Sequence, residues 1–274
     1  MNKPIVPAQT FIPEVDIVTV TPELAKKWLS QNTHNRPLRK RAIADYARDM
    51  AAGSWLQNGE AIKFAEDGTL LDGQHRLNAV VAAGVDVTML VVSGLPRATQ
   101  ETMDAGRKRT AADAFSLRGE VHATVLAAVL KRVWLWDQGD YKFGQNYTPT
   151  TAECAALLKE RPEIYRSVEI AVRIHQAFRY LPQSVTGTAH HLLSRIDGAE
   201  AVWFFARIGD GAELPAGHPV LTLRNRVMTD RADNRKVPDH QYMAYLIRAW
   251  NAVRDNRSLT RIQQASDAPM PLPK

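Results

Sequence analysis

A run of polar residues, Asp72–Arg76, stands between an apolar strand pattern and an Ala/Val-rich helix pattern. Gly73 allows the backbone to turn sharply or to approach a ligand closely. The helix that begins near His75 would direct its N-terminal amides and the positive end of its dipole towards this turn. Arg76 adds a planar, permanently charged guanidinium, and His75 adds a donor or a titratable group. These residue types at this spacing predict an anion site, most simply one for phosphate.

Asp72, His75 and Glu60 are the residues that could add catalysis to this site. Asp72 could hold a magnesium ion, orient His75 or cap the helix. Glu60, in the segment NGEAIKF, could serve as a general base. The alternative is a solvated turn, because Asp-Gly is a common turn sequence, with Glu60 as a solvated residue at a strand end. The residues alone leave both interpretations open.

A second polar cluster lies in the segment TMDAGRKRTAAD, Thr102–Asp113. Around a glycine it carries Asp104, Arg107, Lys108, Arg109 and Thr110. Thr110 followed by Asp113 is a variant of the capping box that starts a helix. The cations could bind nucleic-acid phosphate or a triphosphate, and the alternative is a charged loop with a helix cap.

The patterns around these clusters predict the elements that must position them. VDIVTV has strand composition, and EAIKFAEDGTLLDG is typical of two short strands joined by a turn. HRLNAVVAAG predicts a helix that ends at Gly84, and VDVTMLVVSGL predicts a buried strand. Both clusters would therefore lie where strands and helices join.

From about residue 120 onward, apolar residues recur at helical spacing. The fold class that we predict is α+β, with a mixed domain at 1–115 followed by an all-helical, basic part at 116–264. The last segment, 265–274, lacks periodicity and is expected to be disordered.

Composition is that of an ordinary globular protein: of 274 residues, 45% are apolar and 23% are charged. No apolar run reaches the length of a membrane span, and no signal-peptide layout is present, so we expect a cytoplasmic protein without membrane association. The single cysteine, Cys154, lies in an apolar helix pattern and is expected to be a buried small hydrophobe.

The net charge of +6 is concentrated in the second half of the chain. Residues 1–115 carry 14 Lys and Arg against 13 Asp and Glu, whereas residues 116–274 carry 21 against 16. A basic face attracts polyanions, of which nucleic acid is the commonest. The candidate nucleic-acid contacts are Arg224, Arg226, Arg231, Arg235 and Lys236. The alternative is a solvated, modestly charged surface.

The motif DGQHRLNA resembles the signature of the ParB/sulfiredoxin-like fold, in which this segment contacts nucleotide phosphates at a strand-to-helix turn. The resemblance covers roughly residues 14–115. It includes the preceding pattern NTHNRPLRKRAIADYARDMAAGSW and the following pattern LNAVVAAGVDVTMLVV. Together with TMDAGRKRTAADAF, these segments are also similar to ParB-like proteins of phages and actinobacteria.

The resemblance implies phosphate contacts from Gly73, Gln74, His75 and Arg76, with Asn35 and Arg36 in a loop near the nucleotide. Gln74 stands where ParB proteins have a glutamate implicated in magnesium binding and hydrolysis, and an amide cannot supply that charge. The same position holds the reactive cysteine in sulfiredoxin, so sulfiredoxin chemistry is excluded.

The expectation is therefore a ParB-like, DNA-associated protein that binds a nucleoside triphosphate, CTP or ATP, with or without Mg²⁺. Partners would be DNA and the nucleotide, with a homodimer as an open option and with no metal site formed by the protein alone. Two alternatives are an enzyme of the same fold, a nuclease or a phosphotransferase, and an inert protein that binds only a partner.

Overall fold

The structure is a computed structural model that describes residues 12–32, 37–103, 110–144, 147–265 and 268–274. The chain divides into two compact units, unit 1 (Met1–Lys108) and unit 2 (Arg109–Lys274). This division precedes the expected boundary at residue 115, because Phe115 is completely buried in a core of unit 2. The described residues form eleven α-helices and a four-stranded mixed sheet, which confirms the α+β class.

Unit 1 contains all four strands of the described sheet. Its elements are β1 (Glu14–Val20), α1 (Pro22–Leu29), α2 (Lys40–Ala51), β2 (Ala61–Ala65), β3 (Leu70–Asp72), α3 (Gln74–Ala83), β4 (Val87–Leu95) and a 3-10 helix (Arg97–Thr102). The strand order is β1-β4-β2-β3, with β2 and β4 parallel and the other two pairs antiparallel. The predicted hairpin is thus confirmed as β2 and β3.

The core of unit 1 forms because alternate residues of the strands meet the apolar faces of the helices. From the sheet and from α3 it includes Val20, Ile62, Phe64, Met89, Val91, Leu77 and Val80. Local signals set the helix ends: the Thr21 hydroxyl oxygen accepts from the Leu24 N–H at 3.1 Å, and Gly84 ends α3 at a φ of 68°. This packing holds the N-terminus of α3 against β2 and β3.

The secondary structure of unit 2 is helical, with no strand among its described residues. Its elements are α4 (Ala111–Leu117), α5 (Ala123–Asp137), α6 (Thr151–Glu160), α7 (Ile164–Ala177), α8 (Gln183–Ser194), α9 (Gly198–Asp210), α10 (Pro219–Ala232) and α11 (Asp239–Arg254). Cys154 is buried, and burial raises the pKa of its thiol to about 12. The expectation of an unreactive, buried cysteine is confirmed.

The C-terminal segment differs from the expectation of a disordered tail at 265–274. Residues 268–274 lie against α11, where Trp250 Nε1 donates to the Lys274 carbonyl oxygen at 3.0 Å. Asn251 Oδ1 accepts from the N–H of Lys274 at 3.0 Å. Side chains of α11 hold this segment through its backbone groups, so its own residues need no hydrophobic periodicity. The sequence pattern therefore could not reveal its position.

None of the helices in the described part of the chain is long and apolar enough to cross a membrane.

Candidate functional site

The polar run predicted to bind an anion lies where β3 turns into α3. Asp72 ends the strand, Gly73 adopts a φ of 103°, and α3 begins at Gln74. A Cβ atom placed on Gly73 would lie 2.5 Å from Ile62 Cδ1 and 3.2 Å from Ile62 Cα. The glycine is therefore required by its positive φ and by its close approach to the backbone of β2.

Gly73→Ala is expected to destabilise unit 1 by about 3 kcal/mol, because the added Cβ combines left-handed backbone strain with overpacking against β2. Hydrogen exchange of peptides from β2 and α3 in increasing urea measures the effect locally. Gly84→Ala is the matched control: its φ is 68° and its Cβ would meet nothing within 4 Å, so it retains the backbone strain alone. Equal losses in the two variants would rule out the packing argument.

Asp72 itself occupies the place of the predicted anion. Its Oδ1 accepts from the Gly73 N–H at 2.6 Å. Its Oδ2 lies 3.3 Å from Arg76 Nη2 and 3.6 Å from Lys63 Nζ. The carboxylate therefore meets two cations and the amide that precedes α3, which are the groups that a phosphate would seek.

Arg76 is fixed between the strand hairpin and the helix. Its Nη2 also donates to the Ala61 carbonyl oxygen at 2.9 Å, and 11% of the side chain is exposed. Its Nη1 is buried and has no hydrogen-bond partner among the described residues. A buried donor without an acceptor is costly, so this atom is suited to one further acceptor.

His75 and Gln74 are buried and bind other elements of unit 1. His75 Nε2 accepts from the Arg39 N–H at 3.0 Å, so this nitrogen carries no proton and holds the residue that precedes α2. Gln74 Oε1 accepts from Asn32 Nδ2 at 3.0 Å. In this structure the two side chains join α3 to the segments that follow α1 and precede α2.

Lys63 also belongs to the site, although no motif in the sequence singles it out. It pairs with Asp72 in the β2–β3 register, which places its ammonium beside the carboxylate. The hairpin pattern could not reveal this pair, because counting back from Phe64–Leu70 would place Lys63 opposite Leu71, whereas the register shifts between Lys63 and Phe64. Glu60 is exposed and directly precedes Ala61, whose carbonyl oxygen Arg76 binds.

Six predicted residues lie outside the described residues: Asn35, Arg36, Asp104, Arg107, Lys108 and Arg109. Thr110, from the second cluster, caps α4. Its hydroxyl oxygen accepts from the Asp113 N–H at 3.2 Å, and Asp113 Oδ2 accepts from the Thr110 N–H at 2.8 Å. The predicted capping box is confirmed.

Two of the five candidate nucleic-acid contacts are engaged inside unit 2. Arg224 Nη1 donates to the carbonyl oxygens of Ile208 and Gly209, the latter at 3.1 Å, near the C-terminus of α9. Its guanidinium carbon lies 4.3 Å from the centre of the Phe178 ring. These contacts direct the charge of Arg224 to helix carbonyls rather than to solvent.

Arg226 is committed to a completely buried carboxylate. Its Nε donates to Asp230 Oδ2 at 2.9 Å, and its Nη2 donates to the Tyr245 hydroxyl at 3.0 Å. Because a buried charge needs its partner, Arg226 is not available to a ligand without a large cost.

The three other candidates, Arg231, Arg235 and Lys236, are exposed. Arg235 Nη2 lies 3.2 Å from Asp233 Oδ2, which neutralises part of its charge. The side chains of Arg231 and Lys236 make no hydrogen bond or ion pair with another described residue. Of the five predicted nucleic-acid contacts, only Arg231, Arg235 and Lys236 therefore present charge to solvent.

Within the described residues, no group of three or more His, Cys, Asp or Glu side chains could hold a metal ion. A magnesium ion does not fit Asp72 in its present arrangement, because both carboxylate oxygens face an amide or cationic donors.

No family model, no curated protein and no solved structure matches the chain.

Proposed function

We propose that unit 1 binds a phosphorylated ligand, a nucleoside triphosphate, at the turn between β3 and α3, and that the chain is a DNA-associated protein of the ParB-like class. The observation that carries the proposal is the guanidinium of Arg76. It already faces a carboxylate together with Lys63, and its buried Nη1 still has no acceptor among the described residues. A phosphate group brings more acceptor oxygens and more negative charge than a carboxylate.

Binding proceeds by exchange of one anion for another. The phosphate replaces the Asp72 carboxylate beside Arg76, Lys63 and the Gly73 N–H, and Asp72 turns towards solvent. The partial exposure of the Asp72 and Lys63 side chains, 15% and 28%, gives the ligand a route to this position. The resemblance of DGQHRLNA to the ParB signature favours a nucleotide over inorganic phosphate.

Association with DNA is supported by the basic excess of the second half of the chain and by the exposed Arg231 and Lys236, which pair with no other residue that the structure describes. Contacts of this kind go to the phosphate backbone, so they confer salt-dependent affinity with little base readout. If the nucleotide binds one of two conformational states of the chain more tightly, its binding increases the population of that state and so changes the affinity for DNA.

Arg76→Ala is expected to weaken the binding of CTP or ATP by roughly 10–100-fold, because it removes hydrogen bonds from a charged donor. Isothermal titration calorimetry of the full chain measures the dissociation constant. Arg97→Ala is the control, because Arg97 is exposed and pairs with Asp67 elsewhere in unit 1. Arg76→Lys keeps the charge without the second donor nitrogen and is expected to lose less affinity than Arg76→Ala.

If neither nucleotide binds the wild-type chain, the proposal is rejected. Measuring phosphate release with and without DNA then separates a binding protein from the hydrolase, phosphotransferase or nuclease alternatives. Hydrolysis that stops in Asp72→Asn and Glu60→Gln would favour an enzyme.

A further inference from the structure

A basic cleft of about 460 Å³ lies in unit 2 between α11 and the segments that follow it. Four of its lining residues, Arg248, Arg257, Arg261 and Lys274, are basic. None of the described residues that line it is acidic. Its volume is within the range of about 300–1,000 Å³ typical of small-ligand sites.

One carboxylate outside the lining holds two of these cations. Lys274 Nζ lies 2.8 Å from Asp255 Oδ2, and Arg257 Nη2 lies 3.0 Å from the same oxygen. Asp255 therefore neutralises one positive charge and orders two cationic side chains. Hydrogen bonds from Lys274 and then from Arg257 are the largest causes that hold the pKa of Asp255 below its usual value, so the carboxylate stays ionised.

The other two cations keep their full charge. Nε and Nη2 of Arg248 donate to Gln264 Oε1 at 3.1 and 2.9 Å, so a neutral amide fixes the guanidinium without compensating it. Arg261 is exposed, and its side chain has no hydrogen bond or ion pair with any residue that the structure describes. Among side chains, the cleft therefore combines four positive charges with one carboxylate, that of Asp255.

The walls of the cleft are held in place before any ligand arrives. Asn251 and Asp255 follow Arg248 by three and seven positions, so all three residues lie on one face of α11, with Asp255 at its C-terminal end. Asn251 Nδ2 donates to the Leu272 carbonyl oxygen at 2.9 Å and fixes the opposite wall. Preorganised cations lose less conformational entropy on binding.

We infer that this cleft is a binding site for phosphate groups. Guanidinium groups match phosphate in shape and charge, and the cleft offers three of them with one ammonium. The phosphates come either from a nucleic-acid backbone or from a free polyphosphate. Binding of a nucleic-acid backbone would extend the proposed DNA association and rests on that proposal. Binding of a free polyphosphate does not depend on it.

Arg261→Ala tests the site, because the removed guanidinium supports no other described group and the fold is not affected. Fluorescence anisotropy with a labelled duplex at two salt concentrations and calorimetry with sodium triphosphate measure the two sources on the full chain. Affinity is expected to fall about tenfold, and the slope of log affinity against log salt is expected to fall by about one. Arg173→Ala, an exposed cation on α7, controls for net charge.

If Arg261→Ala lowers the affinity for the duplex alone, the ligand of the cleft is a nucleic-acid backbone. If it lowers the affinity for triphosphate alone, the ligand is a free polyphosphate. A lower affinity for both probes supports a general phosphate site. The inference is overturned if the wild type binds neither probe, or if Arg261→Ala weakens binding no more than Arg173→Ala. Repeating the titrations with Arg76→Ala separates the two sites. An effect of Arg261→Ala on either probe, together with no effect of Arg76→Ala on CTP or ATP binding, leaves the cleft standing and rejects the nucleotide site of unit 1.

Discussion

Asp72→Asn is expected to tighten nucleoside triphosphate binding by roughly a hundredfold in the absence of Mg²⁺. The carboxylate now lies beside Arg76 and Lys63, where an incoming phosphate must displace it. Two like charges about 5 Å apart repel by about 3 kcal/mol at an effective dielectric constant of about 20, which is roughly a hundredfold in affinity. Asparagine has nearly the same shape, and in the free protein its oxygen can still accept from the Gly73 N–H, as the carboxylate does.

Calorimetry in EDTA with wild type and variant measures this gain. Asp67→Asn provides the same change in net charge at an exposed carboxylate in the turn of the hairpin, and its affinity should remain near that of wild type. Adding Arg76→Ala to Asp72→Asn should remove most of the gain. Weaker binding in EDTA would show that Asp72 does not compete with the ligand, whereas a loss seen only with Mg²⁺ would assign the carboxylate to the metal.

The local structure of the site could be predicted because its signals are close together in the sequence. The strand–glycine–helix turn, the hairpin and the capping box of α4 each depend on residues within a few positions of one another. Gly73 was correctly expected to permit a close approach, although the structure shows that the approaching group is the backbone of β2.

The partners of the polar run could not be predicted, because they come from distant parts of the chain. Arg76 meets Ala61 across 15 positions, His75 meets Arg39 across 36, and Gln74 meets Asn32 across 42. Residue types alone do not tell whether a buried donor is satisfied by a ligand or by another element of the fold. The resemblance suggested ligand contacts at positions where the structure shows internal ones.

A count of charges likewise could not separate structural cations from exposed ones. Arg226 and Asp230 are four residues apart on α10, and this spacing is the signal that could have identified the pair. Arg224 had no such signal, because its acceptors are carbonyl oxygens of α9. Four exposed cations of unit 2 instead line the cleft beside α11. Its walls depend on residues 268–274, for which the sequence pattern predicts a disordered tail.

Acidification from pH 7 to pH 4 is expected to destabilise unit 2 by about 3 kcal/mol for each of two buried histidines. His190 and His191 are adjacent on α8, and 3% and 1% of their surfaces are exposed. Burial, with smaller contributions from neighbouring charges, lowers the pKa of each imidazole from 6.5 to about 4. His190 Nδ1 lies 2.9 Å from the Ser167 hydroxyl, and the Ser194 hydroxyl lies 3.4 Å from each of its ring nitrogens.

The free energy of unfolding falls with acidification because the unfolded chain takes up protons that the folded chain does not. Between pH 6.5 and 4 an exposed histidine of the unfolded chain is protonated, whereas the buried one is not. The free energy of unfolding is therefore fully retained above pH 6.5 and falls as the pH approaches 4. Below that, these two groups cause no further loss, because they become protonated in the folded chain as well. Repulsion between the adjacent rings lowers the pKa of His190, so the two contributions are not independent.

His191→Leu isolates one of the two contributions. Neither ring nitrogen of His191 has a hydrogen-bond partner among the described residues, so a leucine removes two buried polar atoms without breaking a contact. We expect the variant to be more stable than wild type at pH 5 by a larger margin than at pH 7. Urea denaturation between pH 7 and pH 4.5 measures the slope of the unfolding free energy, which should fall by about one proton. A wild-type slope that the substitution leaves unchanged would mean that His191 already takes up its proton in the folded chain, where Glu163 and Asp137 are the acidic neighbours that raise its pKa.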